Sequence, residues 1–414
     1  MLRFLQSRAI GGPQFLAAGL LLIYLLECVW LVRVQTLHGA RTDSDQVLRI
    51  EYGLQQWKGG PVAGTPESLR AEAATGVPSA ARSGHLRARD GFDEDRSPLY
   101  YLTAAAPILI RPAPWTPSLP LWHLLAAAPY LFFGVMLGGS LWYVARRLYG
   151  NAGGYIALTL YCFSPAMIVS VAGAQSLGEM GGAWGAFGAI WTAIAVAHTL
   201  YAPREVVLWN WRRILLLGLS IALAVGNQFS LAVLTVVALL LMLWVAPVRK
   251  GAVFVIWGAA WAVALGLLLS AYFFKWGLFW HAMERARWLE FDLRSLAVSV
   301  SYRHMAEEIV RGSPPLILAL PVALAVFAAW KRARYFGNAA PLGIAVLLLI
   351  LAMAAPLFPG QGFHLAALPF LIVFVAGVCA DLLETQRGVL VLAAVSGLLI
   401  ASAFWNILEL ARAR

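Results

Sequence analysis

Charged residues are scarce in this sequence: they make up 12% of 414 positions, about half the share of an ordinary soluble domain. Apolar residues make up 61%, and they form runs long enough to cross a hydrocarbon core of about 30 Å. These runs are too many and too evenly spread for a signal peptide to explain them. The composition therefore excludes a soluble globular domain and predicts an all-α, polytopic membrane protein.

Cysteine is also scarce, and its positions exclude two further classes of protein. Cys28, Cys162 and Cys379 all lie within apolar runs, where a thiol behaves as a small core residue. No cluster of cysteine and histidine has the spacing of a zinc site, and no glycine-rich phosphate loop follows a strand pattern. The sequence therefore predicts neither a disulfide framework nor a metal centre, and it requires no cofactor.

Ten runs with little or no charge are candidate membrane helices, and the longest of them must be divided. They cover residues 11–32, 118–145, 152–174, 180–201, 214–248, 251–274, 314–330, 339–359, 362–380 and 388–408. As one helix, residues 214–248 would be about 52 Å long, far more than a bilayer core needs. Gly226, Asn227 and Gln228 suit a polar turn at its middle. Division there predicts a bundle of about eleven transmembrane helices.

Positive charge is concentrated in the short loops on one side of this bundle. With the amino terminus in the cytoplasm, the short cytoplasmic loops carry thirteen basic residues against three acids. The turns on the other side, at 175–179, 226–228 and 357–364, contain neither lysine nor arginine. The net charge of +11 is therefore a topology signal and argues against nucleic-acid binding. These features predict a multi-pass protein of the cell (inner) membrane.

Two long segments lie on the extracytoplasmic side of the predicted bundle, at 35–117 and 275–313, so that residues 1–414 form one transmembrane domain. In the first segment, residues 59–90 have no aromatic and few large aliphatic side chains, which predicts a flexible excursion. Residues 97–115 are too short to span and predict an interfacial or re-entrant helix that opens at Ser-Pro. The second segment mixes apolar and charged residues, as an amphipathic surface helix does.

Polar residues that the apolar pattern does not require collect on the extracytoplasmic side. The candidates for a functional site among them are Asp43, Asp45, Asp93, Asp95, Arg96, Tyr100, Glu179, Gln228 and His364. Ionisable groups held at membrane depth are costly, so they are functional candidates by default. The hypothesis of a functional site depends on the position of all these residues at the same depth in the membrane, and not on any single residue.

Each candidate also has a structural explanation. Asp43 is equally consistent with a solvated loop acid or with pairing to a nearby arginine, and Arg96 with neutralising the acids at 93–95. Glu179 suits the positive end of a helix dipole as a cap. Gln228 is explained as a turn former, and His364 as a hydrogen-bonded structural histidine.

Taken together, the motifs resemble the GT-C superfamily of integral-membrane glycosyltransferases, especially the bacterial branch related to protein mannosyltransferases and aminoarabinose lipid-A transferase. Five stretches carry the resemblance: "SDQVLRIEYGLQQWKGG" at 44–60, "RSPLYYLTAA" at 96–105, "ARRLYG" at 145–150, "GNQFS" at 226–230 and "GFHLAALPF" at 362–370. In the same order, these stretches are similar to five features of the family: an acidic motif of the first external loop, an interfacial helix, the end of a transmembrane span, the tip of a helical hairpin and the start of a late helix. Asp45 falls on the family's aspartate.

At four positions the sequence departs from the family pattern. Gln46 stands where a second acid is usual, and Ser97 replaces the first of two prolines. Gln228 replaces a lysine at the hairpin tip, and a late arginine is missing, which leaves His364 as the polar group. These departures leave fewer contacts for a substrate phosphate.

The resemblance implies a hexosyl- or pentosyltransferase that moves a sugar from a polyprenyl-phosphate-linked donor to a lipid, glycan or protein acceptor outside the cytoplasm. Asp45, and after it Asp43, is the expected general base for the acceptor hydroxyl. Arg96, with Gln228 and His364, is the expected contact for the departing lipid phosphate. The other substrate-binding candidates are Asp93, Asp95, Tyr100 and Glu179. Some relatives use a divalent metal, but this sequence does not require one.

Two alternatives remain open from the sequence. The missing lysine and arginine favour a membrane scaffold that keeps the GT-C fold without activity. A lipid or solute transporter is the other, although the spans carry almost no charge at mid-depth and show no evident internal repeat.

Overall fold

The computed structural model describes residues 12–37, 44–58, 95–110, 120–172, 180–200, 211–288, 293–329, 335–354, 362–386 and 388–412. These ranges contain fifteen α-helices and no strand, in the order α1 (Gly12–Leu37), α2 (Ser44–Trp57), α3 (Pro98–Leu109), α4 (Pro120–Cys162), α5 (Pro165–Ala172), α6 (Met180–Thr199), α7 (Trp211–Asn227), α8 (Val233–Val245), α9 (Lys250–Ala271), α10 (Trp276–Arg285), α11 (Ser299–Gly312), α12 (Pro314–Ala329), α13 (Tyr335–Ala354), α14 (Gly362–Gln386) and α15 (Val389–Arg412). The predicted all-α architecture is confirmed.

Seven helices of the described chain are long and apolar enough to cross a membrane. One of them, in α4, contains 40 residues and is interrupted at Gly150, whose backbone has φ 77° and ψ −172°. Essentially glycine alone adopts that conformation. The Tyr161 hydroxyl beyond the interruption donates a 2.6 Å hydrogen bond to the Gly134 carbonyl before it, so the two arms of α4 lie side by side. Helix α4 is therefore two membrane spans joined without a loop.

The apolar run at 214–248 is divided, as the sequence predicts. Helix α7 ends at Asn227, Gln228 is extended, and a 3₁₀ turn at Phe229–Ala232 leads into α8. With α4 counted as two arms and the second arm joined to α5, the seven long helices give eight candidate spans among the described residues. Adding α7 and the shorter apolar helices α8 and α12 gives eleven, the number that the sequence predicts. The chain is a multi-pass membrane protein.

Helices α6 and α14 are the most deeply buried spans. Small residues on α6 allow α7 to approach closely: a Cβ at Gly185 would lie 2.5 Å from the Ala224 nitrogen and 2.7 Å from the Ser220 carbonyl oxygen. Such close backbone contact is typical of helix packing in membranes. Phe187 of α6 contacts Phe370 of α14 with 5.2 Å between ring centroids, which completes the centre of the bundle.

The two long segments predicted outside the bundle contain short helices. Helices α2 and α3 lie in the first, and residues 59–90 of that segment lie outside the described residues. The second contains α10 and α11 with a 3₁₀ turn at Leu293–Ala297 between them, where the sequence predicts a single amphipathic helix. The end of α11 is held against the bundle, because the Ser164 hydroxyl donates to the Gly312 carbonyl over 2.8 Å.

Candidate functional site

Helix α2 packs against α3 at a glycine. A Cβ at Gly53 would lie 2.2 Å from the Tyr101 carbonyl oxygen and 2.7 Å from the Ala105 Cβ, so only a residue without a side chain fits there. Helix α3 in turn packs on α4 and α7. The close approach at Gly53 therefore fixes α2 on the bundle.

The contacts along these helices show that α2 and α3 run antiparallel. Ile50, in the middle of α2, lies in one apolar cluster with Ile108, late in α3. Trp57, the last residue of α2, donates its indole N–H to the Leu102 carbonyl over 3.0 Å. The amino-terminal end of α2 therefore lies toward the carboxyl-terminal end of α3.

Helix α3 begins as the sequence predicts. Ser97 is the N-cap with φ −84° and ψ 162°, and its hydroxyl accepts a hydrogen bond from the Leu99 N–H. Pro98 occupies the first helical turn, where its missing N–H has no intrahelical partner to lose.

The residues before α3 are held against the turn between α7 and α8. The Ser97 N–H and hydroxyl both donate to the Gly226 carbonyl, over 3.1 and 2.8 Å. The Phe229 N–H donates to the Asp95 carbonyl over 2.9 Å. These backbone contacts bring Asp95 and Arg96 beside Gln228, so three of the predicted site residues lie together.

Arg96 is the buried cation of this group. It is 9% exposed, and its guanidinium carbon lies 4.5 Å from the centre of the Tyr100 ring, one helical turn further on. Tyr100 meets Tyr101 edge to face, and Tyr101 meets Tyr52 of α2 in the same way, at centroid distances of 5.2 and 4.8 Å. The low dielectric of these surroundings strengthens the attraction of the guanidinium for an anion.

Gln228 is not an exposed hairpin tip. It is 6% exposed, and its amide nitrogen donates to the Ser230 hydroxyl over 2.6 Å. Asn227 before it donates to the Leu223 carbonyl of its own helix. The turn between α7 and α8 is therefore ordered by its own side chains.

His364 lies in the first turn of α14 and is partly buried. Its Nε2 is buried without a hydrogen-bond partner among the described residues, and His304 of α11 is close enough to interact with it electrostatically. His364 therefore belongs to the part of the bundle where α11 and α14 meet.

The structure does not bring Asp45 next to Arg96. Asp45 is the second residue of α2, near the end that lies toward the end of α3, whereas Arg96 precedes the start of α3. At 1.5 Å per residue, the two backbones are about 25 Å apart along the antiparallel pair. The side chain of Asp45 lies outside what the structure describes, as do Asp43, Asp93 and Glu179 entirely.

Sequence reasoning missed Gln56, the residue before the end of α2. Its side chain is 0% exposed, and neither amide atom has a hydrogen-bond partner among the described residues. The sequence feature that could have indicated its burial is its position four residues after Tyr52, on the same face of an amphipathic helix.

Among the described residues, no group of three or more histidine, cysteine, aspartate or glutamate side chains could hold a metal ion. The polar groups that the structure brings together are one cation, one amide and one carboxylate residue at the start of α3 and the end of α7. Such a set can bind an anion and contact hydroxyl groups.

Comparison with known proteins identifies the fold. No protein-family model matches the sequence, and no curated protein matches it. Among solved structures, the chain is similar to the archaeal oligosaccharyltransferase AglB from Archaeoglobus fulgidus in complex with an inhibitory peptide and a dolichol-phosphate. The TM-score is 0.56 at 14% sequence identity, over 97% of this chain and 56% of AglB, so this chain spans about half the length of AglB. The fold is GT-C-like, as the sequence predicts.

Proposed function

We propose that the protein is a membrane glycosyltransferase that moves a sugar from a polyprenyl-phosphate-linked donor to an acceptor. The observation that carries the proposal is the buried Arg96 guanidinium over Tyr100, at one end of a GT-C-like bundle. The dolichol-phosphate in the AglB complex supports a lipid phosphate as the ligand.

Arg96 has the chemistry that the departing group requires. As the bond between the sugar and the phosphate breaks, the lipid phosphate gains negative charge, and a guanidinium fixed in a partly dehydrated site stabilises that charge. The amino-terminal end of α3 lies one residue away and contributes partial positive charge in the same place. The lipid tail of the donor reaches this position from the bilayer.

The acceptor hydroxyl is a weak nucleophile, so a carboxylate must take its proton during attack. Two carboxylates are candidates for this role, with different support. Asp45 is supported by the motif resemblance, with Asp43 beside it in sequence, and Asp95 is supported by its position next to Arg96. Because about 25 Å separates Asp45 from Arg96 along α2 and α3, the two candidates predict different active-site geometries.

The experiment is a transfer assay in membranes that contain the protein, with a panel of radiolabelled polyprenyl-phosphate hexoses and pentoses. We expect Arg96→Ala to reduce transfer by about 100-fold or more, a loss typical of removing one charge-stabilising group, and Arg96→Lys to retain part of it. Arg303→Ala is the matched control, because Arg303 is 83% exposed on α11. Equal rates for all three variants and the wild type would exclude the role of Arg96.

The same assay separates the two candidate bases. Asp45→Asn and Asp95→Asn each replace a carboxylate by a neutral group of the same size. The variant that abolishes transfer while the protein still accumulates identifies the general base, and unchanged transfer removes that residue from the role. We expect a chelator to leave transfer unchanged, since no divalent metal is required by the proposal.

The proposal also places the Arg96 end of the bundle outside the cytoplasm, in the cell membrane. Its support is the concentration of basic residues in the short loops at the opposite end. Lys58→Cys and Lys250→Cys introduce thiols at exposed positions near opposite ends of the bundle. A membrane-impermeant thiol reagent should label position 58 in intact cells and position 250 only after permeabilisation, and the reverse pattern excludes the proposed orientation.

An inactive scaffold is the second candidate function. It is favoured by the turn between α7 and α8, where Gln228 replaces the lysine of the family pattern and is hydrogen-bonded to Ser230. A scaffold predicts no turnover of any donor in the panel by wild-type protein. Turnover that depends on Arg96 excludes it.

A further inference from the structure

The amide of Gln56 is buried and lacks partners, which is costly in a folded protein. Its side chain is 0% exposed, and both Oε1 and Nε2 are without a hydrogen-bond partner among the described residues. Buried polar groups are nearly always hydrogen-bonded, because desolvation is otherwise uncompensated. An amide in this state can accept up to two hydrogen bonds and donate two.

The helical geometry of α2 places Gln56 on the same face as Tyr52, whose ring contacts Tyr101 of α3. Gly53 marks the line of contact with α3, and at 100° per residue Gln56 and Tyr52 project on the same side of that line. Tyr52 of α2 contacts Tyr101 of α3 edge to face, and Tyr101 contacts Tyr100. The next residue, Trp57, reaches the carbonyl of Leu102, so Gln56 lies at the level of the first half of α3.

The surroundings of Gln56 on this side exclude bulk water. Tyr52, Tyr100 and Tyr101 are each at most 3% exposed, and Tyr100 lies under the Arg96 guanidinium. The described chain therefore combines a cation, which suits a phosphate, with a neutral amide, which suits groups that both donate and accept hydrogen bonds. Sugar hydroxyls have this property and phosphate oxygens do not.

We propose that Gln56 binds hydroxyl groups of the donor's sugar, beside the phosphate that Arg96 contacts. The inference rests on the proposed function and adds a sugar-recognition residue to it. In the bound state the amide oxygen accepts from one hydroxyl and the amide nitrogen donates to another. The unfilled hydrogen-bonding capacity of the ligand-free amide is thereby satisfied.

Substitution by methionine distinguishes this role from simple burial. Methionine has nearly the same length as glutamine and no polar amide, so Gln56→Met removes the cost of the unpartnered amide. The ligand-free variant should therefore be at least as stable as the wild type. Only a sugar-binding Gln56 makes the variant lose affinity for the donor.

The test compares two ligands by thermal shift and equilibrium binding to purified full-length protein in detergent. One ligand is polyprenyl phosphate, and the other is the same lipid phosphate carrying a hexose or pentose from the panel. We expect Gln56→Met to weaken binding of the sugar-carrying lipid at least tenfold and to leave binding of polyprenyl phosphate within twofold. Gln56→Asn, which shortens the amide, should give an intermediate loss.

Gln55→Met is the matched control, because Gln55 is adjacent on α2 and exposed. It should bind both ligands as the wild type does, whereas Arg96→Gln should weaken both. If Gln56→Met keeps the wild-type preference for the sugar-carrying lipid, the inference is wrong and the proposed function stands. If the wild type binds neither ligand, the proposed function and the inference fail together.

Discussion

The Asn406 amide in α15 donates a hydrogen bond to the Glu27 carboxylate in α1 over 3.1 Å, inside the membrane-spanning part of both helices. Val395 of α15 is buried in the core cluster, whereas most of the large apolar side chains of this helix are exposed on the outside of the bundle. The Ser402 hydroxyl adds one contact to the Phe163 carbonyl over 3.3 Å. The hydrogen bond between Asn406 and Glu27 therefore joins the last described helix to the first.

The hydrogen bond between α1 and α15 should be measurable as stability. Glu27→Leu removes the acceptor and leaves the Asn406 amide unsatisfied, and we expect a loss of about 1–2 kcal/mol. Glu27→Gln keeps an oxygen that accepts from Asn406, so it should stay close to the wild type. Thermal unfolding in detergent measures both. A leucine variant as stable as the glutamine variant would show that α15 is held by apolar packing alone.

The close contact between α6 and α7 predicts that any side chain at Gly185 destabilises the protein. A Cβ there would meet backbone atoms of Ala224 and Ser220, which cannot move without separating the helices. We expect Gly185→Ala to cost about 1–3 kcal/mol, as overpacking of a close interface does. Gly258→Ala is the matched control, because nothing lies within 4 Å of a Cβ at that position in α9. Similar unfolding temperatures for the two variants would contradict the close packing.

Much of the fold could be predicted because the bilayer imposes simple rules on a chain. Charge-free length predicts the spans, and the basic residues decided that the run at 214–248 is two helices, which the structure confirms. The same reasoning predicted two separate spans, at 118–145 and 152–174. It did not predict that they join without a loop, because that depends on the backbone conformation of Gly150 alone.

The site was less predictable, because topology gives only the side of the membrane. The sequence grouped Arg96 with Gln228 as contacts for a phosphate. The backbone contacts bring these two residues close together, and their role stays a prediction. The separation of Asp45 from Arg96 follows from the antiparallel packing of α2 on α3, which no local pattern encodes. Gln55 and Gln56 are identical neighbours in sequence, and only packing against α3 makes one exposed and the other buried.

Gly150 should be irreplaceable for a conformational reason. Its φ of 77° with ψ −172° lies outside the left-handed helical region, so asparagine, which tolerates that region, has no advantage here. We expect Gly150→Asn and Gly150→Ala to be destabilised alike, by about 1–3 kcal/mol. Gly251→Ala, in an ordinary helical position with open space around the Cβ, is the control. An asparagine variant close to wild-type stability in thermal unfolding would contradict the assigned backbone conformation.

Ser97 explains one departure from the family pattern, and it makes a prediction opposite to that of the motif. The motif has proline at this position, so resemblance alone predicts that Ser97→Pro is harmless. In the structure, both the N–H and the hydroxyl of Ser97 donate to the Gly226 carbonyl, and proline can donate neither. We expect Ser97→Pro to release the residues around Arg96 from the turn between α7 and α8.

A series at Ser97 tests this reasoning. Ser97→Gly keeps the N–H and loses the hydroxyl, and glycine is tolerated at a helix N-cap, so it should lose about 1 kcal/mol or less. Ser97→Pro should lose more than the glycine variant and should also weaken binding of polyprenyl phosphate, since the backbone of Arg96 is no longer fixed. Thermal unfolding and the binding assay measure the two effects separately. A proline variant that matches the glycine variant in both would show that the Gly226 contact does not position Arg96.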